Sequence, residues 1–179
     1  MKKTVWTFGL VAGAIMAVLM AATMPFLNAL GKHSFLVGYA GIVAGFLPVY
    51  FGVRAYRDNV LGGRIGFGRA FGTGLLIAVI ASLCYVATWE VLYYKFMPDF
   101  YAKYSQTTLD EARASGKSDA EVVKMKAAMD AMVKNADNPA WVAAMTFVEP
   151  FPVGFLIALV SAGVLRRKRG AGEPVLATT

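Results

Sequence analysis

Cysteine and histidine are almost absent from this sequence. Its 179 residues include one cysteine, Cys84, and one histidine, His33. A disulfide framework needs paired cysteines, and zinc sites and Ser-His-Asp triads need more cysteine or histidine than this chain holds. These classes are therefore excluded, and we expect no cofactor.

Charged residues are also scarce. They make up 16% of the chain, whereas 58% of the residues are hydrophobic and the mean hydropathy is +0.55. Soluble domains hold about 25% charged residues. The net charge is +7, but no basic stripe interleaved with stacking aromatic residues is present. The composition indicates a membrane protein and excludes a nucleic-acid partner.

Four long runs of the sequence are nearly free of charge. They cover residues 5–30, 34–56, 70–97 and 140–165. Since a membrane-spanning helix needs about 20 apolar residues, each run is long enough to be one span. We therefore predict an all-α integral membrane protein, a four-helix bundle with a helical hairpin between spans 3 and 4.

Basic residues flank these spans unevenly. Ten of the eighteen lysines and arginines collect on one side, whereas residues 98–138 carry six of them against seven acids. Because positive charge is retained in the cytoplasm, we predict cytoplasmic termini and an extracytoplasmic hairpin. The start resembles a secretory signal, but its apolar run of 26 residues favours a retained anchor. These features are typical of the inner membrane of a bacterium.

The predicted organisation has four parts. Residues 1–97 hold spans 1 to 3 with a cytoplasmic elbow at 57–69, and residues 98–139 form the extracytoplasmic hairpin. Residues 140–169 hold span 4 and a basic stop-transfer segment, and residues 170–179 form a disordered cytoplasmic tail.

The hairpin segment has the pattern of two helices. Gly116 is a typical residue to end the first helix, and Ser118 with Glu121 forms a capping box that opens the second. Asn138 and Pro139 then supply the start of span 4. Helices of this length bury little surface alone, so we expect them to pack on the membrane domain or on a partner.

Glycine pairs spaced four residues apart occur in spans 1 and 2 and at the entry to span 3. The pairs are Gly9 and Gly13, Gly41 and Gly45, and Gly68 and Gly72. Such pairs are helix-packing faces, because they let two helix backbones approach closely. We expect spans 1 and 2 to pack on each other through their pairs, with a homodimer contact as the alternative.

The link before span 3 is rich in glycine and arginine. It lacks the Gly-Lys-Ser/Thr ending of a phosphate-binding loop. We favour an interfacial elbow, with aromatic rings at the acyl boundary and arginines on headgroups, over a dedicated headgroup-binding site. The lipid-headgroup candidates are Arg57, Arg64, Arg69, Arg166 and Arg167.

Glu90 and Glu149 are the two acids deep inside the spans. Along a helix they lie roughly 12 Å and 15 Å from the outer span ends. Pro150 and Pro152 break the helix beside Glu149, and transporters build ion sites from an acid at a broken helix. The alternatives are structural glue within the bundle and contact with a partner subunit. The polar residues that would complete a pocket are Thr88, Tyr85, Thr146 and Asn28.

Methionine and histidine give a weak metal signal outside the membrane. Met125, Met129 and Met132 share a stripe on the second hairpin helix, and His33 is placed on the same side. Thioether and imidazole ligands suit Cu(I), but a methionine stripe at helical spacing is more often adaptable packing. We therefore expect no metal site.

The glycine-rich run RIGFGRAFGTG at residues 64–74 precedes a span with serine and tyrosine, a charged helical excursion, a fourth span and a basic tail. This order resembles the bacterial inner-membrane family called domain of unknown function 4199, over roughly residues 5–168. The resemblance implies a small four-span inner-membrane protein, and it supplies no catalytic residues.

Three functional hypotheses follow. The leading one is an accessory or scaffold protein that acts as a homo-oligomer or beside a larger membrane complex. The alternatives are an ion- or proton-coupled transport component using Glu90 and Glu149, and a lipid-headgroup-handling protein using the arginine elbow. An enzymatic role is disfavoured, and the expected partners are the bilayer and other membrane proteins.

Overall fold

The computed structural model describes residues 1–26 and 34–166. Within these residues the chain is helical, without β-strands. The helices are α1 (Lys2–Thr23), α2 (Ser34–Gly45), α3 (Leu47–Val60), α4 (Phe67–Phe96), α5 (Phe100–Ala114), α6 (Asp119–Asn135), α7 (Pro139–Val148) and α8 (Phe151–Leu165).

Four helical segments are long and apolar enough to cross a membrane. They are span 1 (Lys2–Thr23), span 2 (Leu36–Val60), span 3 (Phe67–Phe96) and span 4 (Pro139–Leu165). The prediction of an all-α chain with four spans is confirmed. The chain is a multi-pass membrane protein.

The first α-helix ends inside the uncharged run that predicts span 1. α1 ends at Thr23, and Met24–Phe26 form one 3-10 turn. Pro25 has no backbone N–H, so the α-helical hydrogen-bond pattern does not continue through it. The absence of charge cannot mark this end, because Met24 and Phe26 are as apolar as the helix before them.

Spans 2 and 4 each consist of two helices. Span 2 breaks at Phe46, between α2 and α3, with Pro48 in the first turn of α3. Span 4 breaks at Glu149 and Pro150, between α7 and α8. The prolines of span 4 predict its break. The break in span 2 is a further finding, and Pro48 is the sequence signal for it.

The chain divides into two compact units. The first comprises Met1–Tyr85 together with the chain from Glu149 onwards, and the second is Val86–Val148. The division falls inside span 3 and at the break of span 4. The four-part organisation described above is not tested by this division and stays a prediction.

The first unit has a core in which glycines receive large side chains. α1 packs on α2 and α3, and α3 packs on α8. The ring of Phe46 is fully buried against Gly154 of α8, and Met16 of α1 lies against Gly45. A side chain at either glycine would occupy the space that these two residues fill. Close approach of the backbones therefore sets the packing of this unit.

The second unit contains the two helices of the hairpin, α5 and α6, which pack against each other. Gly116 has a φ of 75°, a left-handed conformation that favours glycine, and it follows the end of α5. Ser118 and Glu121 form both bonds of the capping box at the start of α6. The apolar contacts between the helices come from Leu109, Ala112, Val122, Met125 and Met129.

Candidate functional site

Glu149 lies between the two helices of span 4. α7 ends at Val148 and α8 begins at Phe151. Pro150 and Pro152 have no backbone N–H, so the carbonyls that would pair with them have no intrahelical donor. The carboxyl group is therefore placed where the regular hydrogen bonding of a membrane helix is interrupted.

Tyr85 of α4 is the hydrogen-bond partner of Glu149. Its hydroxyl donates to Glu149 Oε2 at 3.2 Å. Tyr85 is half-buried and packs against the core of the first unit. This bond joins spans 3 and 4, and it brings together two of the predicted polar site residues.

The break in span 2 lies close to the break in span 4. A Cβ atom on Gly154 would be 2.7 Å from Cζ of Phe46, the residue at which span 2 is interrupted. Gly154 is in the first turns of α8, five positions after Glu149. Two interrupted spans therefore pack together in the first unit, an arrangement that membrane proteins use where polar backbone must be accommodated.

Glu90 belongs to the second unit. Its Oε1 atom is enclosed and has no hydrogen-bond partner among the described residues, and the same holds for Nε1 of the neighbouring Trp89. An enclosed polar atom without a hydrogen-bond partner costs free energy. The carboxyl group of Glu90 and the indole N–H of Trp89 are therefore two unsatisfied polar groups on span 3. Pairing of Glu90 with Glu149 stays a prediction.

The other predicted pocket residues divide in three ways. Thr146 is buried in the second unit, with 7% of its surface exposed. Thr88 is half-buried on α4 and also belongs to the second unit. Asn28 lies outside the described residues. Of these predicted site residues, Tyr85 and Glu149 are brought together by a hydrogen bond.

Aromatic rings form a continuous cluster in the second unit. Trp89 and Phe100 meet at a centroid distance of 4.8 Å, and Tyr93 and Tyr101 meet at 4.9 Å. The Tyr94 hydroxyl donates to the Ala136 carbonyl at 3.0 Å. The rings of this cluster are Trp89, Tyr93, Tyr94, Phe100, Tyr101, Tyr104 and Trp141. The cluster ties the end of span 3 to the hairpin and to the start of span 4.

Arg57 binds within the protein, which corrects its assignment to the lipid-headgroup set. Its Nε and Nη2 atoms donate to the Asp58 carboxylate at 2.6 and 3.0 Å. Its Nη1 atom donates to the Leu165 carbonyl at 3.4 Å, so it caps the C-terminal end of α8. The side chain is only 13% exposed, because these contacts hold it against the bundle.

The other lipid-headgroup candidates that the structure describes lie at the surface, whereas Ile65 of the elbow is buried. Arg64, Arg69 and Arg166 are exposed, whereas Arg167 lies outside the described residues. Ile65 is 2% exposed and packs among buried residues of α3, α4 and α8. The elbow therefore inserts the apolar side chain of Ile65 into the protein, whereas the placement of its aromatic rings at the acyl boundary stays a prediction.

The glycine pairs of spans 1 and 2 face different helices. A Cβ on Gly9 would lie 2.8 Å from Cβ of Ile80, and one on Gly13 would collide with the side chain of Cys84. Span 1 therefore presents its pair to span 3, which corrects the expected contact with span 2. The span 2 pair does face span 1, since Gly41 and Gly45 lie against Leu19 and Met16.

The third glycine pair does not pack inside the described chain. No atom of the described residues lies within 4 Å of a Cβ built on Gly68 or Gly72. Within residues 1–26 and 34–166, Gly68 and Gly72 therefore do not act as packing residues. The reason is their position on α4, since the buried residues Ala70, Thr73 and Gly74 occupy the inward face.

The comparison with known families is informative for the whole membrane domain. The model of the family described as protein of unknown function (DUF4199) matches residues 7–167. The chain belongs to this family. The match extends from within α1 to the residue after Arg166, so the family includes all four spans and the hairpin. The resemblance predicted from the glycine-rich run is confirmed.

Membership in the DUF4199 family adds no ligand or reaction to the site. No curated protein and no solved structure matches the chain. In the described part of this DUF4199 chain, no three histidine, cysteine, aspartate or glutamate residues come together as metal ligands. Met125 and Met129 pack against the hairpin core, Met132 is half-buried, and His33 lies outside the described residues.

Proposed function

We propose that this protein is an accessory or scaffold protein of the bacterial inner membrane, and that it acts as a homo-oligomer. The observation that carries the proposal is the outer face of span 3, which consists of Gly68, Gly72, Leu76 and Leu83. Its two glycines have open space around them, and its leucines are 44% and 55% exposed.

The physical argument is that glycine faces promote contact between helices in lipid. Lipid tails are as apolar as leucine, so helices associate where small residues allow close backbone packing. The glycine pairs of spans 1 and 2 are already filled by neighbouring side chains of the same copy. The pair on span 3 supports the proposal because it is left for a helix from a second copy.

Substitution of Gly72 tests this contact. Two differently tagged copies of the full chain are co-expressed, extracted in a mild detergent and recovered through one tag. With Gly72→Leu in both copies, we expect recovery of the second tag to fall about tenfold, because the leucine prevents close approach. Gly163→Leu is the matched control, since Gly163 also has open space but lies on α8.

The outcomes separate the two forms of the hypothesis. Equal recovery for wild type, Gly72→Leu and Gly163→Leu contradicts the span 3 contact. If a different membrane protein is recovered in place of the second tag, the protein acts as a subunit beside a larger complex. The hairpin then offers the second surface for such a partner, on the extracytoplasmic side that the charge distribution predicts.

The two alternative functions differ in their support. The lipid-headgroup hypothesis depends on the arginine elbow, and the bonds of Arg57 to Asp58 and Leu165 weaken it. The transport hypothesis depends on Glu90 and Glu149. Its specific support is the position of Glu149 at a helix break with a hydroxyl partner, Tyr85.

A further inference from the structure

We propose that Glu149 is a reversibly protonated carboxyl that binds and releases one proton at the break of span 4, with Tyr85 as its partner. This inference depends on the membrane-spanning fold but not on self-association. The two experiments are therefore independent, and either proposal can fail without the other.

The carboxyl group of Glu149 belongs to a residue well inside span 4. Glu149 follows Pro139, the first residue of span 4, by ten positions. At about 1.5 Å per residue this places it roughly 15 Å along the span. A charged group at that depth is costly, so a carboxyl there is either protonated or held by specific polar contacts.

Two opposing effects act on the protonated and ionised forms of the Glu149 carboxyl group. The Glu149 side chain is exposed on the surface of the described chain, so at this depth the lipid hydrocarbon favours the protonated form, whereas the N-terminus of α8 favours the carboxylate. Within the described residues, no lysine or arginine forms an ion pair with Glu149. Nothing in the described part of the chain therefore locks the group in its ionised form, so both protonation states are accessible to it.

Tyr85 can donate a hydrogen bond to Glu149 in either protonation state. In the ionised state its hydroxyl donates to Oε2 of Glu149 at 3.2 Å. On protonation the carboxylate gains one proton from water, an O–H bond forms, and the hydroxyl still has a carbonyl oxygen to which it can donate. Tyr39 of α2 is a further titratable group near this pair, since it interacts electrostatically with Tyr85, and Cys84 precedes Tyr85 in the chain. The reverse step returns the proton to water.

The composition of the site favours a proton over a metal ion. The side chains of Glu149 and Tyr85 supply three oxygen atoms, and the two carbonyls freed by Pro150 and Pro152 add at most two, whereas hard cations take about six or more oxygen atoms. No group of three acidic, histidine or cysteine side chains is found in the described part of the chain. A single proton needs only the one oxygen atom that Glu149 provides.

Labelling with dicyclohexylcarbodiimide tests the proposal. This apolar reagent adds to a protonated carboxyl group in a bilayer and remains attached as an N-acylurea. The full chain in liposomes is labelled across a pH series, and the modified residue is located by peptide mass spectrometry. We expect the label on Glu149, with a labelled fraction that rises as the pH falls.

Two variants give the result its specificity. Tyr85→Phe removes the donor that stabilises the carboxylate, so we expect half-maximal labelling at a pH higher by about one unit. Glu90→Gln is the matched control, because it removes the other intramembrane acid and should leave labelling of Glu149 unchanged. A purely structural Tyr85 would not move the pH midpoint.

Several results would overturn the proposal. Label confined to Glu90, or no label on Glu149 at any pH, shows that Glu149 does not carry an exchangeable proton. Labelling of Glu149 that is independent of pH contradicts reversible protonation. Protection by sodium chloride at constant pH assigns the site to a metal cation instead of a proton.

Discussion

At the scale of single residues, some glycines of the first unit have no room for a side chain, whereas others face open space. Gly13 is the clearest case, because a Cβ there would collide with Cys84 of span 3. The glycine spacing in the sequence predicts that some helix approaches span 1 closely. It cannot identify that helix, since all four spans are similarly apolar and any of them is a suitable partner.

Gly13→Val should therefore destabilise the protein. Overpacking a filled contact costs about 1–3 kcal/mol, because the neighbouring side chain and backbone must move. The measurement is the Tm of the full chain in detergent, with Gly163→Val as the control at an open position. An equal Tm for the two variants would show that spans 1 and 3 do not pack at Gly13.

Arg57 is a second residue whose role depends on distant parts of the chain. Its bond to the Leu165 carbonyl joins residues 108 positions apart. We expect Arg57→Gln to lower the free energy of unfolding by about 1–2 kcal/mol, since a charged donor at a helix end is lost. Arg54→Gln is the matched control.

The Arg54 side chain is 56% exposed and contacts Asp58 at 3.6 Å, so its loss should cost no more than about 0.5 kcal/mol. Denaturation in detergent compares the two variants directly. If Arg57→Gln is as stable as Arg54→Gln, Arg57 does not link α3 to α8. The sequence alone places Arg57 near lipid. It shows the positive charge, but it does not show that the Leu165 carbonyl accepts a hydrogen bond from the guanidinium group.

At the scale of elements, the start of α6 is controlled by Glu121. Hydrogen bonds from the Ser118 hydroxyl and from the Ser118 backbone N–H hold the pKa of Glu121 below its ordinary value of 4.5. A lowered pKa in the folded state means that the unfolded chain binds the proton more tightly. The stabilisation is therefore complete well above pH 4.5 and is lost as the pH falls through the lower, folded value.

An NMR titration of the Glu121 carboxyl group checks this expectation. The midpoint should lie below 4.5 in the full chain, and Ser118→Ala should move it back towards 4.5. Ser115→Ala is the control, because the Ser115 hydroxyl donates to the Ala112 carbonyl and not to Glu121. A midpoint at or above 4.5 in the wild type would contradict the capping contact.

The elements show what sequence patterns can and cannot define. The capping residues Ser118 and Glu121 are predictable because their bonds join neighbours in the chain. The interruption at Glu149 is predictable because proline removes a donor. The contact between Phe46 and Gly154 is not, since it joins distant residues through packing in the tertiary structure.

At the scale of the whole molecule, the unequal distribution of basic residues predicts the orientation. A chain with Cys84→Ala and one new cysteine is treated in intact cells with a membrane-impermeant maleimide. Lys117→Cys, in the turn before α6, should react from outside because the hairpin is predicted to be extracytoplasmic. Asn59→Cys, at the end of span 2, should react only after the cells are opened.

The reverse pattern would place the termini outside and contradict the predicted orientation. Fold class and span number follow from local composition, because each span must be apolar along its whole length. The partners of Gly68 and Gly72 cannot be predicted from local composition, since no other part of the described chain approaches these glycines. The self-association proposed above assigns this face to a second copy of the chain.

The central claim is that this membrane protein associates with copies of itself through span 3. Native mass spectrometry of the full chain, released from the membrane together with its lipids, tests it most directly. We predict species at two or more times the 19.2 kDa mass of one chain, and a shift to the single mass for Gly72→Leu. Wild-type protein found only as a 19.2 kDa monomer would contradict the account.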